Sequence, residues 1–226
     1  MFKRLLLAGL LAGLVSGLVL SAIQYLQVIP IIQEAERYET AATVHQEHGI
    51  EEGWSPQEGW ERMSFTLAAN MSMAIGLGLM LVSAFSLRQR ISIMQGICWG
   101  AAGFSVFFIA PSLGLPPELP GAESGSLIAR QSWWLFTVSC SAGGLALLVF
   151  ANKLWLKLIG LLLLIIPHWI GAPHSGYYAG PAPESLANQF LIATALANGV
   201  FWLVLGSTTA WVYRRLTVNH RTDSLD

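Results

Sequence analysis

The sequence predicts an all-α protein, a polytopic bundle of helices that crosses a membrane several times. Hydrophobic residues make up 54% of the chain and charged residues only 11%, whereas soluble domains carry about 25% charged residues. Several apolar runs approach the roughly 20 residues that a helix needs to cross a bilayer. Because lipid offers the backbone no hydrogen-bond partner, each such run must be helical.

Six candidate spans follow from the apolar runs, and they define a single integral membrane domain over residues 1–226. The fifth span is short and starts directly after the fourth, across Lys153 and Lys157. A tilted or partly re-entrant segment would lower the count to five, but six passes is the better count. The predicted spans are 5–29, 64–87, 91–110, 131–152, 154–169 and 188–213.

The first run predicts a retained helix and not a signal peptide. It is much longer than the apolar core of a signal peptide, which covers about 7–15 residues. Gly9, Gly13 and Gly17 recur in it every four residues and therefore share one helical face. Small residues at that spacing predict close helix packing in lipid.

Several uncharged polar residues fall inside or at the ends of the spans. Asn70, Asn198 and Gln24 are predicted to form hydrogen bonds between helices, the usual role of such side chains in membranes. Cys98 and Cys140 lie in separate spans and predict buried free thiols, not a disulfide.

The charges predict that both termini lie in the cytoplasm. With Lys3 and Arg4 placed inside, nine of the twelve Lys and Arg residues fall on the inner side, the bias expected of cytoplasmic loops. All eleven glutamates fall on the opposite side, in the outer connections 30–63, 111–130 and 170–187. The outer face is therefore acidic, and an acidic surface favours cations.

Two histidines close the fifth span in the stretch PHWIGAPHSGYYAGP. His168 and His174 lie six residues apart across a turn that contains glycine and proline. Neutral imidazole is a common ligand of cobalt, nickel, copper and zinc. The pair is therefore a candidate metal site, with a structural or interfacial role as the alternative.

Three glutamates are the candidate carboxylate ligands. The helix is predicted to continue past the membrane, because no helix breaker occurs between Gln33 and Thr43. Glu36 and Glu39 are i, i+3 neighbours in the outer stretch EAERYE and would share a helical face, with a solvated acidic face as the alternative. Glu118 lies among prolines in LPPELPG and predicts either an ion pair with Arg130 or contact with a cation. Carboxylates together with histidine suit first-row divalent metals.

Motifs of other functional classes do not occur in the sequence. It contains no GxxxxGK[ST] loop for nucleotide hydrolysis, no GxSxG or HExxH motif, and no basic patch with interleaved aromatics for nucleic acid. We therefore expect no enzyme, no permanently bound cofactor and no nucleic-acid partner. A transporter without a nucleotide motif must draw on an ion gradient or on a partner.

Five segments resemble the CbtA family: FKRLLLAGLLAGLVSGLV, AERYE, APSLGLPPELPG, ARQSWW and IPHWIGAP. The resemblance extends over nearly the whole chain, and GLPPELPG and RQSWW are not generic membrane patterns. It implies a cobalt transporter subunit of the bacterial inner membrane, with the smaller of the two span counts. It also implies cobalamin-controlled genes and a small histidine-bearing partner subunit, CbtB, whose histidines would carry much of the metal chemistry.

Two hypotheses of different class follow. In the first, the chain is a membrane subunit that takes up a divalent metal, Co²⁺ or Ni²⁺, from an outer face formed by the histidines and glutamates named above. In the second, the same outer loops dock a partner or sense metal without transport. Transport also needs a polar path that continues inward. Asn70 and Asn198 alone are too few polar residues to form one. The number of copies that assemble is left open.

Overall fold

The helices of the protein follow the predicted apolar runs. The computed structural model describes residues 2–43, 56–57, 59–88, 91–122, 125–173 and 180–222. Every regular element within these ranges is helical, which confirms the predicted fold class. The α-helices are α1 (Phe2–Ile23), α2 (Ile29–Thr43), α3 (Trp60–Ser86), α4 (Ile93–Phe104), α5 (Ala110–Ser112), α6 (Leu127–Phe150), α7 (Leu154–Ile170) and α8 (Glu184–Thr222).

Five helical stretches of the described chain are long and apolar enough to cross a membrane, one fewer than the six spans favoured from the sequence. The apolar helix α7 has only 17 residues. At 1.5 Å per residue it is about 25 Å long, somewhat less than the roughly 30 Å hydrocarbon core of a bilayer. The five longer stretches are Phe2–Ala42, Trp60–Ser86, Ile93–Ser112, Leu127–Phe150 and Glu184–Leu216.

Two π-helical segments, Gln24–Val28 and Ser105–Ile109, join α1 to α2 and α4 to α5. Each segment comes directly before an X-Pro pair, which ends in Pro30 in one case and in Pro111 in the other. A proline in a helix lacks the N–H that would bond four residues back, and its ring clashes with that carbonyl. In both cases the residue four positions back is the middle of the π segment, so the helix widens there and continues without a break.

The chain divides into two compact units, which we describe separately. Unit 1 comprises Met1–Gln27, His48–Ala101 and Leu196–Asp226. Unit 2 comprises Val28–Glu47 and Ala102–Ala195.

In unit 1, α1 packs closely against α3 through the predicted glycine face. A Cβ placed on Gly13 would lie 2.6 Å from the backbone nitrogen of Ile75 and 2.8 Å from the carbonyl oxygen of Ala74. One placed on Gly78 of α3 would lie 2.7 Å from the carbonyl oxygen of Gly9. Since no side chain fits between the two backbones, the stripe is a packing surface, as its spacing predicts.

Polar contacts add to this packing within unit 1. The Asn70 side-chain amide on α3 donates to Gln24 Oε1 at 2.6 Å and to Ser21 Oγ at 3.1 Å. The expected hydrogen bonding between helices is thereby confirmed for Asn70 and Gln24. A second pair of helices, α4 and α8, meets where a Cβ on Gly96 would lie 2.5 Å from the carbonyl oxygen of Gly206.

In unit 2, α7 runs antiparallel along α6. A Cβ on Gly144 of α6 would lie 2.7 Å from the carbonyl oxygen of Gly160 of α7. Nearer the start of α6, the Trp133 ring contacts His168 at the end of α7. The short helix therefore returns the chain to the end of unit 2 at which α6 begins. Although α7 has only 17 residues, it runs in the direction opposite to α6.

Candidate metal-capture site

The acidic stretch EAERYE lies on α2, as expected from the absence of a helix breaker between Gln33 and Thr43. Ala35 is fully buried, while Glu36 and Glu39 are half-buried. The neighbouring Arg37 is exposed and donates to Glu34, with an N···O distance of 3.0 Å. The two predicted ligands therefore do not lie on a freely solvated face.

Glu39 meets the other two predicted outer connections. A Cβ on Gly121, in the loop between α5 and α6, would lie 3.3 Å from Glu39 Cγ and 3.1 Å from Pro181 Cδ. Gly121 has a φ of +76°, which an L side chain rarely adopts. The α2 carboxylate, the GLPPELPG loop and the segment before α8 thus lie together at one end of unit 2, as predicted.

Glu118 forms an ion pair with Arg130, one of the two roles predicted for it. Arg130 donates from its Nη2 to Glu118 Oε2 at 2.7 Å, and each side chain is 26% exposed. Leu119, the next residue, is 3% exposed and anchors the loop in the interior. The pair fixes the loop to the first turn of α6, so contact between Glu118 and a cation would compete with the guanidinium.

His168 lies in the last turn of α7 and contacts α6. Its ring meets Trp133 edge to face, with centroids 6.1 Å apart and an interplanar angle of 69°. Trp133 Nε1 donates to the carbonyl oxygen of Pro167 at 3.3 Å, and that oxygen also accepts from the Gly171 N–H at 3.1 Å. The aromatic ring and the helix end therefore set the position of the imidazole.

The GLPPELPG loop also closes over Trp133. A Cβ on Gly114 would collide with the Trp133 ring and would lie 3.0 Å from Ala172 Cβ. The glycine thus lets the loop, α6 and the segment after α7 meet beside His168.

Among the described residues, Glu39, Glu118 and His168 lie at one end of unit 2 without completing a coordination site. Within them, no three His, Cys, Asp or Glu side chains lie close enough together to hold a metal ion. Glu39, Glu118 and His168 each contact a different neighbour. His174, and also His45 and His48 of the first outer connection, fall outside the described residues.

The contact between Trp133 and His168 is not predicted by the sequence analysis. Trp133 belongs to the segment ARQSWW and lies within the first two turns of α6. A tryptophan so close to the start of a helix is placed to reach the end of a neighbouring antiparallel helix, and that position was the available signal.

The chain matches one family model over residues 2–214, the model described as "Probable cobalt transporter subunit (CbtA)". No curated protein and no solved structure shows a significant match.

Proposed function

Because the chain belongs to the CbtA family, we propose that it is the membrane subunit of a divalent-metal uptake transporter with cobalt as its cargo. Glu36, Glu39, Glu118, His168 and His174 capture the ion at the outer face. Co²⁺ and Ni²⁺ are both served by imidazole and carboxylate ligands. The ion is a substrate, and the chain carries out no reaction on it.

One observation carries the proposal: three segments far apart in sequence converge at one end of unit 2. Gly121 adjoins both Glu39 and Pro181, and Glu118 is fixed to α6 by its ion pair. His168 lies at the same end because α7 returns along α6. Carboxylates of α2 and of the loop are thereby gathered at the end of the unit where the imidazole lies, and a cation is attracted there.

The location of this end follows from the charge asymmetry of the sequence. The acidic connections are outside and both termini are in the cytoplasm of a bacterial inner membrane. Since α7 brings the chain back to the end where α6 begins, α8 can then cross in the direction that leaves Arg214 and Arg215 inside.

The metal content of the detergent-purified chain tests this function. The protein is equilibrated with Co²⁺, Ni²⁺ or Zn²⁺ and then measured by elemental mass spectrometry. We expect stoichiometric cobalt in the wild type and its loss in the double variant His168→Ala, His174→Ala. The matched control is His45→Ala with His48→Ala, which should retain the metal. Equal or greater loss in the control would show that the site is assigned to the wrong histidines.

A second candidate, a subunit that docks a partner or senses metal without passing it, is favoured by one observation. The described part of the chain does not gather three ligating side chains at any point. A small CbtB-like subunit with its own histidines could complete the site. In that case the purified chain alone binds no cobalt, and cobalt appears only when the two proteins are purified together.

A further inference from the structure

Two buried hydroxyl groups lie inside α6 without a hydrogen-bond partner. Thr137 is 0% exposed and Ser141 is 2% exposed. Neither hydroxyl oxygen has a partner among the described residues. Buried polar groups are nearly always paired, so each exception calls for a cause.

Many other helical hydroxyls among the described residues make a bond that these two do not. A serine or threonine inside a helix commonly donates to the carbonyl four residues back, and Ser139, which lies between the two, does so to Leu135 at 2.8 Å. Thr137 and Ser141 do not. The same back-bond is made by Ser16, Ser21, Thr66, Ser83, Ser207, Thr208 and Thr209.

The pair lies on the α6 face that begins at His168. Trp133, which contacts His168, is one turn before Thr137 and two turns before Ser141. At 1.5 Å per residue, the hydroxyls lie about 6 and 12 Å along the helix axis from Trp133. They therefore stand near the middle of the 24-residue helix, where an inward path from the capture site would have to pass.

We propose that Thr137 and Ser141 form an intramembrane polar site, which hydrogen-bonds the water shell of a divalent cation as it moves inward from His168. The inference rests on the proposed function and adds to it a polar site inside the membrane, on the route of the ion from the capture site. Both hydroxyl oxygens are buried in this structure. Opening the α6 face to the hydrated ion would give the two hydroxyls the partners that they lack here.

Uptake of Co²⁺ by cells that produce the full chain, compared with cells that do not, is the first test. The double variant Thr137→Val, Ser141→Ala removes both hydroxyls and nearly preserves side-chain volume. We expect its initial uptake rate to fall about tenfold, because two hydrogen bonds to the water shell of the passing ion are lost, while its melting temperature stays level or rises. The control Ser139→Ala should take up Co²⁺ normally. Normal uptake by the double variant would overturn the proposal.

Cysteine labelling tests the site when the double variant melts at a lower temperature. In a Cys98→Ser, Cys140→Ala background, the Thr137→Cys variant should react with a small charged methanethiosulfonate reagent, more slowly when Co²⁺ is present. The control is Ser139→Cys, which lies on the exposed side of α6, away from Thr137 and Ser141. It should not react, since a thiol against lipid does not ionise. An unreactive Thr137→Cys variant overturns the inference, and so does reactivity that Co²⁺ leaves unchanged. If wild-type cells take up no Co²⁺, the proposed function itself fails.

Discussion

Replacing Arg130 by glutamine should weaken the fold and strengthen metal capture, two effects of opposite sign from one substitution. The Glu118–Arg130 ion pair has an N···O distance of 2.7 Å, with each side chain 26% exposed. A hydrogen bond between charged groups contributes about 1.5–3 kcal/mol, and partial exposure brings this to about 1–2 kcal/mol. The melting temperature of the detergent-purified variant should fall accordingly.

The effect on the metal follows from electrostatics. A guanidinium about 5 Å from a divalent cation repels it by about 1.7 kcal/mol even at the dielectric constant of water. Its removal should therefore tighten Co²⁺ binding by about 20-fold, measured by isothermal titration at low salt. The variant Glu118→Gln should lower the melting temperature by a similar amount but should weaken Co²⁺ binding.

The exposed pair Arg37–Glu34 provides the control. These side chains are 79% and 43% exposed, with an N···O distance of 3.0 Å. Exposed pairs contribute little to stability, so Arg37→Gln should leave the melting temperature almost unchanged. If Arg130→Gln behaves like Arg37→Gln, the pair does not fix the loop. If it lowers stability with no change in Co²⁺ affinity, Glu118 is structural and is no part of the capture site.

Three further substitutions test the helix packing of unit 1 and the surroundings of His168 in unit 2. Gly13→Ala should lower the melting temperature by the equivalent of about 1–3 kcal/mol through overpacking, whereas Gly76→Ala, whose added Cβ meets nothing within 4 Å, should lower it not at all; equal effects would refute the close contact. Asn70→Ala should cost about 0.6–1.7 kcal/mol, the range for hydrogen bonds between membrane helices, and an unchanged melting temperature would show that its two bonds are not formed. Trp133→Phe removes one hydrogen bond to Pro167 and should cost about 1 kcal/mol while leaving cobalt content intact; loss of cobalt would mean that the indole positions His168 directly.

The fold could be predicted because the length and hydropathy of an apolar run identify a membrane helix. The extension of the first helix past the apolar run followed from the absence of a breaker up to Thr43, and the structure confirms it. What hydropathy cannot tell is which side of an apolar helix faces another helix. Cys98 and Cys140 were both expected to be buried, yet Cys140 is buried and Cys98 is exposed. Lipid and protein interior are equally apolar, so composition alone does not separate them.

The site was harder to predict because its geometry depends on contacts between distant segments. The charges and the alternation of inner and outer connections predict that the three acidic connections lie on one side. The structure brings Glu39 together with Gly121 and Pro181. Spacing left two roles open for Glu118, and only the folded loop shows its bond to Arg130. Residue types likewise could not reveal that Thr137 and Ser141 lack the back-bond that Ser139 makes.

The distribution of polar groups along unit 2 suits passage more than storage. In the proposed path, carboxylates and an imidazole lie at the mouth, while α6 contains no Asp or Glu and offers hydroxyls in its interior. A carboxylate in the low-dielectric interior would attract a divalent cation far more strongly than one at the surface, and conduction requires that an ion bind weakly enough to leave. Neutral hydroxyls bound to the ion's own water avoid that trap. Thr137→Asp should therefore retain Co²⁺ on the purified protein and yet slow its uptake by cells. Faster uptake would contradict the argument, because it would show that a carboxylate inside the path helps the ion to pass.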